Sequence, residues 1–335
     1  MKLWYEKGAW ATRKARERAA AMSPESVRSI AVIRHAAIGD MMVLRPFLIQ
    51  AREFFPNAKI TLSIVNNYAY GAPEDLVDRV HVVHKKKEGK KTTYGERLGD
   101  IKALREHDIV FDMADTSLSG IICMMTKARL KIGFPYRKFK NSLFYDIAVL
   151  RSDLVPEVET LLHMLYILGA PKKQVLEYGY PSYVTDRERP YIVYFTTASL
   201  GWKCWSQDRF AELIARSADA YPDVEHVVLE GIRDYEKVDG LMESLRAYPA
   251  VRKLDPMPLE ELMPFLGKAR IVVSGDTGIR NMAIAAGTPT VGIFFFTVPY
   301  RYLPIDGRHH AVFNAEGDEP QVKEVLSHVE KLLKC

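Results

Sequence analysis

Apolar and polar positions along this chain fall into two successive series of the same kind. The first opens on "SIAVIRH" (29–35), an apolar run of strand length, followed by the loop "AAIGD", the helical stretch "MMVLRPFLIQAREFF" and a second strand, "AKITLSIV" (58–65). Strand, loop, helix and strand in that order form a βαβ unit and predict a parallel sheet. "DIVFDMA" (108–114) and "RLKIGFP" extend that sheet, and "EVETLLHMLYILGAP" has helical spacing with Gly169 and Pro171 as its stop. A proline-punctuated polar segment, "YGYPSYVTDRERP" (178–190), then reads as a linker.

Beyond it the alternation restarts: strand "YIVYFTT", helix "SQDRFAELIARSADAY", strand "HVVLEG", helix "YEKVDGLMESLRAY", a short strand at "VRKLD" and helix "PLEELMPFLGKA". Strand "RIVVSG", helix "TGIRNMAIAAG" and strand "PTVGIFF" complete the series. The pattern predicts an α/β protein with two Rossmann-like, doubly wound domains, at 29–180 and 188–315. A basic helical extension (1–28) precedes them and a C-terminal helix (316–335) follows. Domains of this kind bind ligands beyond the carboxyl ends of their strands, so the loops there carry the candidate chemistry.

A length of 335 residues agrees with two cores rather than one. Hydrophobic and charged fractions of 48% and 27% are those of a globular protein and exclude disordered or fibrous classes. No apolar run is long enough to span a bilayer, and "MKLWYEKGAWATRKARERAAAM" lacks the apolar segment of a secretory signal, so a cytoplasmic protein is expected. The extension reads either as a solvated helix or, with Trp4, Tyr5 and Trp10 among its basic residues, as a peripheral contact to the inner face of the membrane. Cys123, Cys204 and Cys335 have neither disulfide nor metal-ligand spacing. The net charge of +5 is concentrated in "HKKKEGKKTTYGER" (84–97) and "RLKIGFPYRKFK" (129–140), which suggests an anionic partner for the first half. Those charges sit in loops without a recognition module, which argues against nucleic acid.

The stretch "SGDTGIRNMAIAAGTPTVGIF" (274–294) brings Asp276, Thr277 and Gly278 to a strand-to-helix junction. Backbone amides at a helix start attract an anion such as phosphate, while Asp276 reads equally as a cap for the helix. Neither a Walker loop nor GxGxxG occurs anywhere in the chain. Thr196, Thr197, Ser199 and Lys203 follow the first strand of the same domain and belong to the same edge, where Lys203 would meet a diphosphate. Glu230 ends another strand, placed to accept ribose hydroxyls or merely to sit in a loop. In the first domain Asp40 stands at the corresponding junction as a general base or a helix cap, with His35 an alternative base.

Three stretches together resemble glycosyltransferase family 9, the ADP-heptose:lipopolysaccharide heptosyltransferases. They are "IRHAAIGDMMVLRPFLIQAREFFPNAKITLSIV" (33–65), the K-x-W of Lys203 and Trp205, and "VSGDTGIRNMAIAAGTPTVGIFF". The resemblance covers about residues 29–312. It implies a GT-B enzyme with two domains facing a cleft, an acceptor-binding first half and a donor-binding second half, inverting and metal-independent, with no cofactor. Asp40 would be the general base. Lys203, Thr277 and Gly278 would bind the diphosphate of the nucleotide-sugar donor, an ADP-linked heptose, with Met257 at adenine and Glu230 at ribose, while Thr196, Thr197, Ser199 and Asp276 join the donor site by their place on the same edge. Lys85, Lys86, Lys87, Arg129, Arg137 and Lys138 would meet an anionic glycan or glycolipid acceptor. One position departs from the family signature: Asn281 stands where the family has His, and Asn donates a hydrogen bond but neither takes up a further proton nor carries a positive charge. Another donor sugar, compensation by Arg280, reduced activity, or a sugar-nucleotide-binding protein without catalysis each fits that change.

Overall fold

The computed structural model describes residues 10–87, 90–134, 144–185, 188–198, 200–304 and 306–334. The chain divides into two compact units, 1–179 and 180–335.

In the first unit the elements are β1 (Trp10–Ala11), α1 (Arg13–Ala20), β2 (Ser29–Ile33), α2 (Ile38–Phe54), β3 (Lys59–Val65), β4 (Arg79–Val83), β5 (Lys86–Lys87) and β6 (Lys90–Lys91). They continue with α3 (Tyr94–Lys102), β7 (His107–Asp112), α4 (Ser117–Met125), β8 (Ala128–Gly133), β9 (Ile147–Ala148) and α5 (Glu157–Tyr166). The main sheet runs β4-β3-β2-β7-β8-β9 in parallel, and β1 closes the edge antiparallel to β9. Helices cover both faces, which is why β2 and β3 read as nearly unbroken apolar runs.

Residues 10–28, expected as an extension, belong to this unit. Thr12 caps α1 by accepting from the Ala15 amide at 3.1 Å, and Ala15 and Ala19, one turn apart, are small enough to seat α1 on the first core beside Met22. Residues 38–40, read as loop, form the first turn of α2, whose N-cap Ala37 has no side chain able to announce it. Pro46 lies inside that helix.

The second unit contains β10 (Tyr191–Phe195), α6 (Gln207–Ala220), β11 (Glu225–Leu229), α7 (Asp239–Ser244), β12 (Val251–Leu254) and α8 (Leu259–Gly267). It ends with β13 (Ile271–Gly275), α9 (Gly278–Ala285), β14 (Thr290–Ile293), β15 (His309–Val312) and α10 (Val322–Leu333). Its sheet is parallel throughout, in the order β12-β11-β10-β13-β14-β15. The C-terminal α10 buries Val322, Val325, Val329 and Leu332 in the second core and is part of that unit. Apart from the edge strand β1, each sheet thus starts at a central strand, grows to one side, then returns to the other. The direction reverses between β2 and β7 and between β10 and β13, and these two switch points are where such sheets open a crevice.

Candidate active site

At the second switch point, Phe195 of β10 lies opposite Ser274 of β13, so the two strands end side by side. Thr196 and Thr197 follow, both buried, and a single helical turn at Gly201–Lys203 brings the Lys203 ammonium to 3.6 Å from Asp276 Oδ2. Gly275 lies against this turn: a Cβ there would stand 3.7 Å from the Lys203 carbonyl oxygen, an ordinary contact distance. The cap of α9 is Thr277, whose Oγ1 accepts from the Arg280 amide at 3.4 Å. Asp276 is therefore not the N-cap that its residue type suggested, and its carboxylate faces a lysine instead. Gly278 and Ile279 head the helix with amides that have no intrahelical acceptor. A cation and a helix start side by side form an anion cradle.

The neighbouring residues divide into those on this edge and those withdrawn from it. Trp202 is half exposed and meets Phe296 with ring centroids 3.9 Å apart, and the Lys203 ammonium lies 5.6 Å from the Trp202 ring. Because β13 sits between β10 and β14, these two aromatics from the flanking loops touch across its end. Phe296 carried no motif in the sequence. Trp205, by contrast, is fully buried, donating from Nε1 to the Pro320 carbonyl at 3.1 Å and packing edge-on against Phe210. Arg280 is also buried: it donates to the Tyr302 carbonyl at 2.8 Å and lies over the Phe294 ring, in space left by Gly292. It is not an exposed cation at the helix start. Asn281, in the first turn of α9, is buried.

Glu230, one residue past β11, is 2% exposed at its side chain and accepts from Lys237 at 2.7 Å, Lys253 at 3.3 Å and the Val238 amide at 3.3 Å. The Lys237 ammonium first, with the Val238 amide and Lys253 beside it, holds the carboxyl below the usual carboxylate range. A ribose hydroxyl would have to displace or join these donors. Met257 lies half-buried in the loop between β12 and α8. Ser199 lies outside the described residues.

The first switch point carries a chain of alternating charges. Arg34, just past β2, donates to the Met113 carbonyl at 2.6 Å, to Glu157 at 3.2 Å and to Asp40 at 3.2 Å. Arg151 holds Glu157 at 2.8 Å and Asp115 at 3.3 Å. Asp115 has a φ of 49°, a left-handed conformation that Asp tolerates better than most side chains. Asp40 is the third residue of α2 rather than its cap. Sequence reading missed Arg34, Asp115, Arg151 and Glu157. Two of them left a signal, a guanidinium closing the buried run "SIAVIR" and a carboxylate opening the apolar helix α5.

His35 stands beside this group, pushed down to about 4 by burial and then by the nearby Lys85 ammonium, so it is neutral at physiological pH. Asp112, at the end of β7, accepts from the Tyr145 hydroxyl at 2.6 Å and is pushed up to about 6 by complete burial. The folded chain keeps a proton there that the unfolded chain releases near 3.8, so stability falls as pH rises from 3.8 to about 6. Asp112→Asn should flatten that part of the urea-midpoint profile against pH; an unchanged slope would assign it to other groups.

Among the acceptor candidates, Lys85 lies near His35, and Lys86 and Lys87 form β5 of a two-stranded ribbon with β6. The ribbon follows β4 and is tied down by Asn66, which accepts from the Lys85 amide at 3.0 Å and donates to the Lys86 carbonyl at 2.8 Å. Arg129 requires correction: it is the second residue of β8, at the amino-terminal edge of the sheet, with its guanidinium 3.7 Å from Asp108. The six-residue strand separates it from the edge that carries Asp40, so it does not belong to the same site. Arg137 and Lys138 lie outside the described residues. Among the described residues no group of three or more His, Cys, Asp or Glu is arranged to hold a metal ion, and no helix is long and apolar enough to cross a membrane.

Comparison with known proteins supplies the context. The lipopolysaccharide core heptosyltransferase OpsX of Haemophilus influenzae is 21% identical over 299 residues, covering 86% of this chain and 85% of that protein. The E. coli heptosyltransferase WaaC, solved with ADP-2-deoxy-2-fluoro heptose, matches with a TM-score of 0.73 at 21% identity, over 90% of this chain and 99% of that one. A glycosyl transferase family 9 structure from Veillonella parvula matches with a TM-score of 0.72 at 18% identity, over 93% and 99%. The fold is thus that of the GT-B heptosyltransferases, α/β with two parallel sheets. The family model for glycosyltransferase family 9 (heptosyltransferase) matches residues 97–331, from within α3 to near the end of α10, and the chain belongs to that family of sugar-transferring enzymes.

Proposed function

We propose that the protein moves heptose from ADP-heptose onto a lipopolysaccharide-core or related glycan acceptor, inverting the anomeric centre without a metal. The observation that carries this reading is the pairing of Lys203 with Asp276 beside the start of α9, at the β10/β13 switch point. Lys203 leaves Asp276 for the donor diphosphate, and the amides of Gly278 and Ile279 take its remaining charge. Asp40 accepts the proton of the acceptor hydroxyl, and the hydroxyl oxygen bonds to the anomeric carbon. The bond from that carbon to the diphosphate breaks with its electrons going to the departing ADP. Thr196, Thr197 and Ser199 supply hydroxyls on the same edge, Asn281 lies next to the sugar, and Met257 meets the adenine. Glu230 reaches the ribose only if Lys237 or Lys253 yields a hydrogen bond. The ribbon of Lys86 and Lys87, with Lys85, meets the anionic acceptor. A glycolipid acceptor would hold the protein peripherally at the inner face of the cytoplasmic membrane.

A thermal-unfolding panel with ADP, UDP, GDP, CMP and ADP-heptose tests the donor, because a ligand of the native state raises its apparent stability. A shift with ADP and a larger one with ADP-heptose is expected; a shift with another nucleotide alone would replace the donor. Lys203→Ala should weaken ADP binding by about tenfold or more in calorimetry, the scale of a hydrogen bond to a charged group. Equal affinity would remove Lys203 from the diphosphate. Asn281 favours one second reading, a nucleotide-sugar-binding protein without catalysis, for which no transfer would be seen above a donor-hydrolysis blank.

A further inference from the structure

The geometry points to Arg34 and Glu157 as positioning residues that set the orientation and the proton affinity of Asp40. The inference rests on the reading of Asp40 as the base for transfer. Arg34 is almost wholly buried and its two terminal nitrogens are divided: Nη1 serves the Met113 carbonyl and Glu157, while Nη2 serves Asp40 Oδ1. Glu157, 1% exposed, takes Arg34 on Oε1 and Arg151 on both oxygens, at 2.8 and 3.3 Å. Asp115 closes the far end of the chain through Arg151.

In these contacts three carboxylates share two guanidiniums, so Arg34 does not serve Asp40 alone. Glu157 and Asp115 are enclosed, whereas the Asp40 side chain is 29% exposed, so the carboxylate with access to solvent and substrate is Asp40. If Arg34 served Asp40 alone, the full cation would make that carboxylate a poor proton acceptor. Sharing Arg34 with Glu157 leaves Asp40 oriented by a cation whose field is already largely balanced. The same bonds anchor the start of α5 and the end of β7 to the first turn of α2, which fixes Asp40 in position.

His35, Arg151 and Asp75 do not duplicate the effect. His35 is neutral, with its value pushed down by burial. Arg151 acts on Glu157 and Asp115, and Asp75, on the turn packed against α2, is held by Arg45 at 2.6 Å. The two substitutions that matter have opposite signs. Arg34→Met removes the cation and raises the proton affinity of Asp40. Glu157→Gln, nearly isosteric, leaves Arg34 uncompensated and lowers it.

The experiment follows the Asp40 carboxyl carbon by NMR across pH in aspartate-labelled protein, assigned by its disappearance in Asp40→Asn. The midpoint should rise by about one pH unit or more in Arg34→Met and fall in Glu157→Gln, with Arg34→Lys close to the wild type. Midpoints that stay in place, or that move in the same direction in both variants, overturn the inference. Should Arg34→Met fail to fold, the direction of the Glu157→Gln shift decides alone. The rate of transfer to lipopolysaccharide from a heptose-deficient strain gives a separate readout. Its acid limb should follow the two displacements, with Arg34→Met slower by on the order of tenfold to a hundredfold. Carboxyl midpoints that move while the rate profile does not would leave the coupling standing and overturn the role of Asp40 as base.

Discussion

Asp40→Asn is expected to lower transfer by about 100- to 10,000-fold, the usual contribution of a general base, while ADP binds as before. The amide keeps an oxygen for the hydrogen bond from Arg34, so the first turn of α2 and the neighbouring Glu157 need not rearrange. What it loses is the ability to accept a proton. Asp40→Ala would confuse the result, because it would leave a nearly buried guanidinium short of a partner. The measurement pairs turnover with ADP calorimetry on the same preparation. Wild-type turnover would place the base elsewhere, with His35 the next candidate; weakened ADP binding would mean that the substitution acts through the donor instead.

Trp205→Ala should cost about 3–5 kcal/mol of folding stability, the range for losing a large aromatic from a packed core. Trp205 is 1% exposed, lies edge-on to Phe210 of α6 and donates to the Pro320 carbonyl just ahead of α10. Removing it opens a cavity and leaves that carbonyl without its indole donor. Trp202, three residues earlier, is 51% exposed, and Trp202→Ala should change stability by no more than about 0.5 kcal/mol. Urea unfolding of the two variants gives the comparison directly. Equal losses would mean that the exposed Trp202–Phe296 contact supports the fold as strongly as the core does. The contrast also separates the two halves of the K-x-W pattern: its lysine faces the ligand edge, and its tryptophan holds the loop that carries the lysine.

The two parallel sheets were readable because their central strands are covered on both faces, so "IAVI", "TLSIV", "YIVYF" and "IVVSG" stand out as apolar runs. Edge strand β4 was not, since "RVHVV" mixes exposed and buried positions and includes a histidine. The short helix α4, "SLSGIICMM", has a glycine at its centre and no long amphipathic repeat, and its start shows only in the reciprocal capping by Thr116 and Ser119. Thr196, Thr197, Asp276, Thr277 and Gly278 could be placed on one sheet edge from sequence because each follows its strand within a few positions. The Arg34–Glu157 pair could not, because 123 residues separate partners that only the strand order brings together. Arg129 was misplaced for a related reason. A cluster of cations in sequence reports charge but not which end of a strand bears it, and at the second position of β8 the end is the wrong one for the site.

The lysine ribbon has a further consequence. In β5 and β6 the backbone register sets Lys86 against Lys91 and Lys87 against Lys90, and at the first of these pairs two like charges stand opposite each other. Such pairs oppose the strand pairing that holds them. A polyanion laid along the ribbon would cancel this repulsion as well as attract each ammonium. Part of its affinity would then come from relief within the protein, making the ribbon tightest when occupied. Mobile salt ions act on the same repulsion, so ionic strength would weaken the attraction to the ligand while firming the unoccupied ribbon. With a polyanion bound, the segment would act less as a fixed rail than as a clasp loaded by its own charge.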